Sequence, residues 1–467
     1  METVQKHSSI KTVNPFTNEV EKEFDVMSEQ QVNQIIDNAD NAFKGWRKTS
    51  FTDRATVIHK VAALMRERKE ELGKLATIEM GKLLRESIYE VELSANIFDY
   101  FADNAETFLA DHPLKTEKGE AFLSYEPIGV LLSVQPWNFP YYQITRSAAS
   151  ALMAGNTMVL KHASNVPQCA QIMEDIFLEA GLPKGVYNNI FIPGSQIERL
   201  VSNPKIAAVA LTGSEAAGAS IASAAGVNLK KSTLELGGSD PFIVLEDADL
   251  DRAVETAVYG RMWNAGQVCV SPKRIIVPAS KRNEFLEKAK AIFAKLKVGN
   301  PLEADTDVAP LSSEKAAQDV ADQIEKAVSQ GAKVVFGGKR IDRPGAFLEP
   351  TILTEVTPEI DAYFEEIFGP VFVLYTYNDV DEAIELANAT TFGLGGTVFG
   401  TDIEKAKNVA RRLDTGMVYI NHVTGIAPEL PFGGTKRSGY GREQSPAAIY
   451  EFVNHKLIRV TTPEDLY

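Results

Sequence analysis

Cysteine is almost missing from this chain: Cys169 and Cys269 are the only two in 467 residues. A disulfide framework is thereby excluded, a metal site of the cysteine type has little support, and each thiol needs its own account. HExxH, CxxC and EF-hand patterns are absent as well, so metal catalysis is unsupported and no metal ligands are assigned. No GxGxxG is present, which removes the usual dinucleotide fingerprint. Apolar runs such as Val130–Val134 are far too short to cross a bilayer, and the opening METVQKHSSIKTV has no apolar stretch of the kind a secretion signal needs. Basic residues are outnumbered, 48 Lys and Arg against 63 Asp and Glu, and the formal charge of −15 disfavours a nucleic-acid or anionic-membrane footprint. The expectation is a cytoplasmic protein whose partners are small molecules, with no nucleic acid and no membrane.

What remains is ordinary globular composition in a chain too long for one core, so two large α/β lobes with a minor appendage are expected. From Glu29 to Phe101 apolar residues such as Val57, Ile58, Val61, Ala62 and Met65 recur three and four apart among charges, the pattern of amphipathic helices. Strands are read at Ala121–Glu126 and at Val130–Val134, the latter ending in a Pro136-Trp137-Asn138 turn. Helices and strands then alternate: a helix near Tyr142–Ala154, strand Thr157–Leu160, helix Pro167–Ala180, strand Tyr187–Ile192, helix Ser195–Val201, strand Ala207–Leu211 and helix Ala216–Ala225. Such alternation predicts a parallel sheet whose ligands bind at the carboxyl ends of its strands. A second series opens with a strand from Asp240, the helix Leu250–Trp263 and a strand from Arg274, and runs to about Ile420.

Cys269 stands in Asn264-Ala265-Gly266-Gln267-Val268-Cys269, just after a helix and a glycine turn. A free cysteine is more often inert packing than a nucleophile. Here, however, Pro136-Trp137-Asn138-Phe139-Pro140, Leu234-Glu235-Leu236-Gly237-Gly238, Gly266-Gln267-Val268-Cys269, Glu366-Ile367-Phe368-Gly369-Pro370 and Pro431-Phe432-Gly433-Gly434 follow one another in the order found in aldehyde dehydrogenases. The chain resembles that family over essentially its whole length. The resemblance implies a nucleotide-binding lobe of residues 1–108 and 129–237, a catalytic lobe of residues 238–435, and an oligomerisation β-flap of residues 109–128 and 450–467. That flap implies a homodimer or homotetramer.

It also implies roles. Cys269 would be the nucleophile, Asn138 the side-chain donor to the oxyanion beside the Cys269 N–H, and Glu235 the base that activates water against a thioester. Branches that pass the acyl group to coenzyme A lack that glutamate, so hydrolysis to a free acid is expected over coenzyme A acylation or a non-catalytic relative. Gly213 and Ser214, in a turn entering a helix, would face a pyrophosphate. Glu366 and Phe368 would meet the nicotinamide-side ribose, and Trp137 completes the cofactor set. Lys161 would reach the adenosine ribose, and Ser164 stands where NAD-preferring relatives carry an acid, so NADP⁺ is expected with NAD⁺ as the alternative. His162 is read either as a phosphate partner or as a cap on the strand end. Cys169, with no charged neighbour in sequence, is read as packing.

Phe139 to Arg146 resembles the succinate-semialdehyde branch of the same family, in which an arginine holds the distal carboxylate. Arg146 would take that role, an ordinary ion pair being the competing reading. Where part of that branch has a second arginine this chain has Trp263. Trp263 and Phe432, with Trp137 and Tyr142, are read as pocket walls or plain core, and a wider range of short aldehydes is the alternative to succinate semialdehyde.

Overall fold

The computed structural model describes residues 9–462. Residues 1–8 and 463–467, the outer ends of the expected nucleotide lobe and flap, lie outside it. The helical stretch resolves into Glu29–Trp46, Phe51–Glu67, Lys69–Met80 and Leu84–Phe108. Ser28 with Gln31 and Ser50 with Asp53 form reciprocal capping boxes at the first two, which places those starts. The apolar stripe Ile58, Val61, Ala62 and Met65 is wholly buried, in one core with the helix Pro140–Ala154.

A six-stranded sheet has the order Gly439–Tyr440, Lys231–Glu235, Ile206–Thr212, Val130–Gln135, Thr157–His162, Tyr187–Asn189. All its pairings are parallel except that of Gly439–Tyr440, which runs antiparallel to Lys231–Glu235. Chain order reverses between Val130–Gln135 and Ile206–Thr212, and side chains beyond strand ends at such a point face a common crevice. The second, seven-stranded sheet is ordered Lys333–Phe336, Thr351–Thr354, Val371–Tyr377, Arg274–Pro278, Pro241–Val244, Thr397–Phe399, Tyr419–Ile420, antiparallel only at its first pair. The six-stranded sheet contributes to two cores, one of them shared with the helical stretch, and the seven-stranded sheet packs into a third. This is the α/β architecture expected, two lobes and a β-flap. The helix read as Leu250–Trp263 stops at Met262, because Trp263 turns to φ −52°, ψ 129°.

The flap is a three-stranded sheet. Val453–Val460 pairs antiparallel with Glu120–Pro127, from Val453↔Pro127 to Val460↔Glu120, and His112–Leu114 lies on the far side. Val453–Val460 is an edge strand that leaves Leu457 and Val460 more than half exposed. A hairpin of Ser9–Val13 and Val20–Asp25 was not anticipated by the sequence reading.

One buried side chain ties the flap to the six-stranded sheet. Asn156 Oδ1 accepts from Ile128 N and Gly129 N at 2.8 and 3.1 Å, and Nδ2 donates to Phe452 O at 2.8 Å. Asn156→Ala would leave backbone groups at this junction unpaired, each costing about 1–3 kcal/mol when buried. A thermal or urea transition should therefore register a loss of roughly 3 kcal/mol, whereas a loss below about 1 kcal/mol would mean that the junction repacks.

Candidate active site

The crevice at the chain-order reversal opens into a cavity of about 280 Å³. Pro136, Trp137 and Asn138 follow the strand Val130–Gln135; Thr212, Gly213 and Ser214 end the strand beside it; Glu235, Leu236 and Gly237 end the next. Gln143, Cys269, Glu366 and Phe368 complete the wall. Eight residues singled out from sequence, Trp137, Asn138, Gly213, Ser214, Glu235, Cys269, Glu366 and Phe368, thus share one cavity. Their segments come from both sheets.

Cys269 is delivered by a constrained turn. Asn264, Ala265 and Gly266 all take left-handed backbone conformations, with φ of 50°, 50° and 76°. At Gly266 a Cβ would fall 2.1 Å from Gly369 O, so only glycine fits. Arg261, fully buried, pins this turn to the loop carrying Glu366 and Phe368. It donates to Ser271 Oγ at 2.9 Å and Gly266 O at 3.3 Å on one side, and to Ile367 O and Gly369 O at 2.6 and 2.5 Å on the other. Lys273 repeats the link: its Nζ donates to Val268 O and Cys269 O at 2.9 and 2.7 Å and lies 3.2 Å from Glu366 Oε1. Glu366 Oε1 also accepts from Gly238 N. The rings of Trp137 and Phe368 meet edge to face at 5.9 Å.

Asn138 is held from every side. Its carbonyl oxygen accepts from Asn264 Nδ2 at 2.9 Å and from Lys82 Nζ at 3.2 Å. Lys82 is itself sealed in an ion pair with Glu90, whose Oε1 accepts the N–H groups of Tyr141 and Tyr142 at 2.7 and 3.0 Å and so caps the helix Pro140–Ala154. The Asn138 side chain donates to Gln267 O and accepts from Gln143 Nε2, both at 3.1 Å.

Glu235 and Cys269 line the same cavity, and both titrate away from their ordinary ranges. Burial raises the Glu235 carboxyl, with Arg146 pulling the other way. Burial first and the Glu235 charge second push the Cys269 thiol well up, so the resting side chain is a thiol. Arg146 is 1% exposed and lies one layer behind the cavity. Its Nη2 donates to Gln143 Oε1, Thr212 Oγ1 and Glu235 Oε2 at 2.5, 2.8 and 3.2 Å. Its Nε lies 2.7 Å from Glu443 Oε2, misaligned for a hydrogen bond, and Nη1 has no hydrogen-bond partner. Burial lifts Glu443 to about 7, with Arg146 opposing. The competing sequence reading of Arg146, an ion pair, is therefore present in the structure.

Other expected residues lie elsewhere. Phe432 is not a cavity wall: it is 2% exposed and its ring, like that of Tyr142, lies against the Arg146 guanidinium, at 5.0 and 4.9 Å. Trp263 is absent from the 280 Å³ cavity but lines a second one of about 300 Å³ on the other side of Cys269, with Phe139, Val268, Val270 and the loop His422–Ile426, which sequence could not place. Lys161 is the penultimate residue of the strand Thr157–His162, at 8% exposure, and Ser164 is exposed beyond it; neither touches the main cavity. His162 is a cap. Enclosed at 4% exposure, its ring donates from Nε2 to Pro140 O at 2.9 Å and accepts at Nδ1 from Ala163 N at 3.0 Å, and burial lowers its pKa to about 4, so it carries no charge with which to meet a phosphate. Cys169 is packing, at 0% exposure. Thr212 and Glu443 were not found from sequence, because a polar residue at a strand end or in a loop carries no local signal of a partner 66 or 297 residues away; Gln143, close in sequence to its partners Asn138 and Arg146, was not singled out because nothing in an apolar helix marks which polar residue turns to which.

Comparison with known proteins gives matches over nearly the whole chain. The sequence model of the aldehyde dehydrogenase family matches residues 3–458. The chain is 48% identical over 448 residues to a protein of Deinococcus radiodurans named succinate-semialdehyde dehydrogenase [NADP(+)], covering 96% of this chain and 94% of that one. It is 45% identical over 452 residues to succinate-semialdehyde dehydrogenase [NADP(+)] 1 of Mycobacterium tuberculosis, covering 96% and 99%. The crystal structure of succinic semialdehyde dehydrogenase from Streptococcus pyogenes in complex with NADP⁺ superposes with a TM-score of 0.96 at 45% identity, covering 97% of this chain and 100% of the other.

Because Cys169 is sealed, iodoacetamide should modify Cys269 alone. The midpoint of its pH dependence should lie above the ordinary thiol range. Glu235→Gln removes a negative neighbour while Arg146 and Lys273 still favour the thiolate, so the midpoint should move to lower pH. An unchanged or higher midpoint would show that the Glu235 charge does not act on the thiol.

Proposed function

The chain belongs to the aldehyde dehydrogenase family, and from that premise we propose that it oxidises succinate semialdehyde to succinate, with NADP⁺ as the preferred hydride acceptor and NAD⁺ as the alternative. The observation that carries the substrate is Arg146. Its guanidinium is bonded directly to Gln143, Thr212 and Glu235 of the cavity wall, so a positive charge stands immediately behind that wall for a distal carboxylate. The names of the most similar relatives point to the same acid aldehyde.

The cavity fits a dinucleotide. At Gly213 a Cβ would find nothing nearer than Leu211 Cδ2 at 3.8 Å, so the backbone entering the helix Glu215–Val227 stays approachable. At Gly237 a Cβ would fall 2.3 Å from Glu366 Oε2, so a larger residue there would push the Glu366 carboxylate aside. Gly213, Ser214, Trp137, Glu366 and Phe368 would hold the cofactor, with Lys161 and Ser164 at its adenosine end. Bound NADP⁺ supplies the hydride acceptor.

The chain's own groups do the rest. Cys269 Sγ adds to the aldehyde carbon, its proton passing to Glu235, and the carbonyl oxygen becomes an oxyanion. One N–H of the Asn138 amide is taken by Gln267 O; the other, with the Cys269 N–H, faces the oxyanion. A donor of this kind is worth about 3 kcal/mol in other enzymes. Loss of hydride from the tetrahedral adduct leaves a thioester on Cys269. Glu235 gives up that first proton to solvent, takes another from water as the water attacks, and passes it to the departing sulfur, so succinate leaves with the thiol restored. The Val453–Val460 edge strand would complete a homodimer or homotetramer.

Succinate semialdehyde and butanal, compared for the parent and for Arg146→Lys, test the substrate. Lysine keeps the charge but loses the fork, so the preference for the acid aldehyde should fall at least about tenfold. Equal kcat/KM for the two aldehydes in the parent would remove this substrate. Ser164→Glu tests the cofactor: it should lower kcat/KM for NADP⁺ and raise the NAD⁺ share, because a carboxylate repels a 2′-phosphate. An unchanged ratio would place the 2′-phosphate elsewhere.

A further inference from the structure

Asn138 can serve an oxyanion only if its amide presents nitrogen, not oxygen, to the space beside Cys269, and the two ends of an amide are nearly the same size. Shape therefore cannot choose between them; hydrogen bonding must. The choice is made by a buried series of three side chains. Arg146 Nη2 donates to Gln143 Oε1 at 2.5 Å, Gln143 Nε2 donates to Asn138 Oδ1 at 3.1 Å, and Asn138 Nδ2 donates to Gln267 O at 3.1 Å. Arg146 and Gln143 are each 1% exposed and Asn138 is 4% exposed.

We infer that Gln143 is a positioning residue that transmits the donor-only polarity of Arg146 to the Asn138 amide, and thereby holds the oxyanion donor in its working orientation. This rests on Asn138 being that donor. A guanidinium has no acceptor, so Gln143 must turn its oxygen to Arg146 and its NH₂ to Asn138. Asn138 must then turn its oxygen to Gln143, which leaves its NH₂ for Gln267 O and the cavity. Reversing either amide sets donor against donor at one link and acceptor against acceptor at the next. Arg146 is locked in turn by Glu235 and Glu443, so the polarity originates in a group that cannot reverse. The backbone of the same turn is held separately, by Lys82 and Asn264.

A double-mutant cycle between positions 143 and 138 tests this, read on kcat with succinate semialdehyde and with butanal. Asn138→Ala should lower kcat by about 10²- to 10³-fold. Gln143→Met, of similar shape but unable to orient the amide, should lower kcat about tenfold or more with KM little changed, equally for both aldehydes. In the Asn138→Ala background Gln143→Met should cost nothing further, because its effect passes through the missing amide. Gln143→Glu, which can only accept, should draw the Asn138 NH₂ away from the cavity and approach the loss of Asn138→Ala; it also carries the cycle if the methionine variant does not fold. NADPH binding, followed by its fluorescence, should be retained in all of them. Full kcat in both position-143 variants, or a position-143 loss undiminished in the Asn138→Ala background, overturns the inference. An Asn138→Ala enzyme with parental kcat overturns instead the oxyanion reading beneath it.

Discussion

A guanidinium closed off from water between two carboxylates is the contact around which this site is arranged. Removing a charge from water is costly, and Arg146 can be buried only because Glu235 and Glu443 face it and Gln143 and Thr212 accept its protons. The reverse also holds: one cation cannot fully stabilise two anions in a low-dielectric interior, so both carboxyls are driven above their usual range. Burial thus raises the base while the Arg146 contact opposes that rise, and the same contact gives a direction to the amide series that ends at Asn138 and sets a cation behind the cavity wall. Tyr142 and Phe432 cover its faces and help keep the pair dry.

Around that centre the chain is cross-braced where its own backbone is least regular. The turn Asn264-Ala265-Gly266 is strained, since left-handed backbone is disfavoured for alanine above all. Arg261 and Lys273 bond it to the loop of Glu366 and Phe368, so the nucleophile and the expected cofactor contacts are parts of one rigid unit drawn from the second sheet. Asn138 and Glu235 belong to the other sheet. Relative placement of the two lobes thus sets the distance at which thiol, amide and carboxylate meet, and Asn264, spanning from the turn to Asn138 O, fixes that distance directly.

The sequence made the sheet-and-helix order legible because each strand there is a short apolar run and each helix an amphipathic one. It was also enough to name Cys269, Glu235, Asn138, Gly213 and Glu366, which sit in distinctive strings. Other features had no such mark. Ser9–Val13 and Val20–Asp25 form a hairpin in which polar residues predominate, so no apolar alternation signals strands. Gly439–Tyr440 is a strand only because Glu235 and Leu234 lie opposite. Gln143 and Arg146 stand on a helix in which every residue is buried, where polarity tells only that partners must exist. His162 is the clearest case of misjudged surroundings: a histidine beside an expected cofactor contact invites a ligand role, but its neighbours are the carbonyls of Gln135 and Pro140.

The last stretch of described chain serves three masters in turn. Gly439 and Tyr440 extend the six-stranded sheet, Glu443 supplies the second counter-charge to Arg146, Gln444 donates to the Tyr142 hydroxyl at 2.7 Å, and Phe452 accepts from Asn156 before the flap strand begins. Translation delivers these residues after more than four hundred others. While the polypeptide is still being made, the first lobe can assemble its helices and parallel strands, but Arg146 has only one carboxylate and the sheet has an open edge. The completed site therefore depends on the stretch from Gly439 to Phe452, and a chain without it has neither the second counter-charge nor the closed sheet edge.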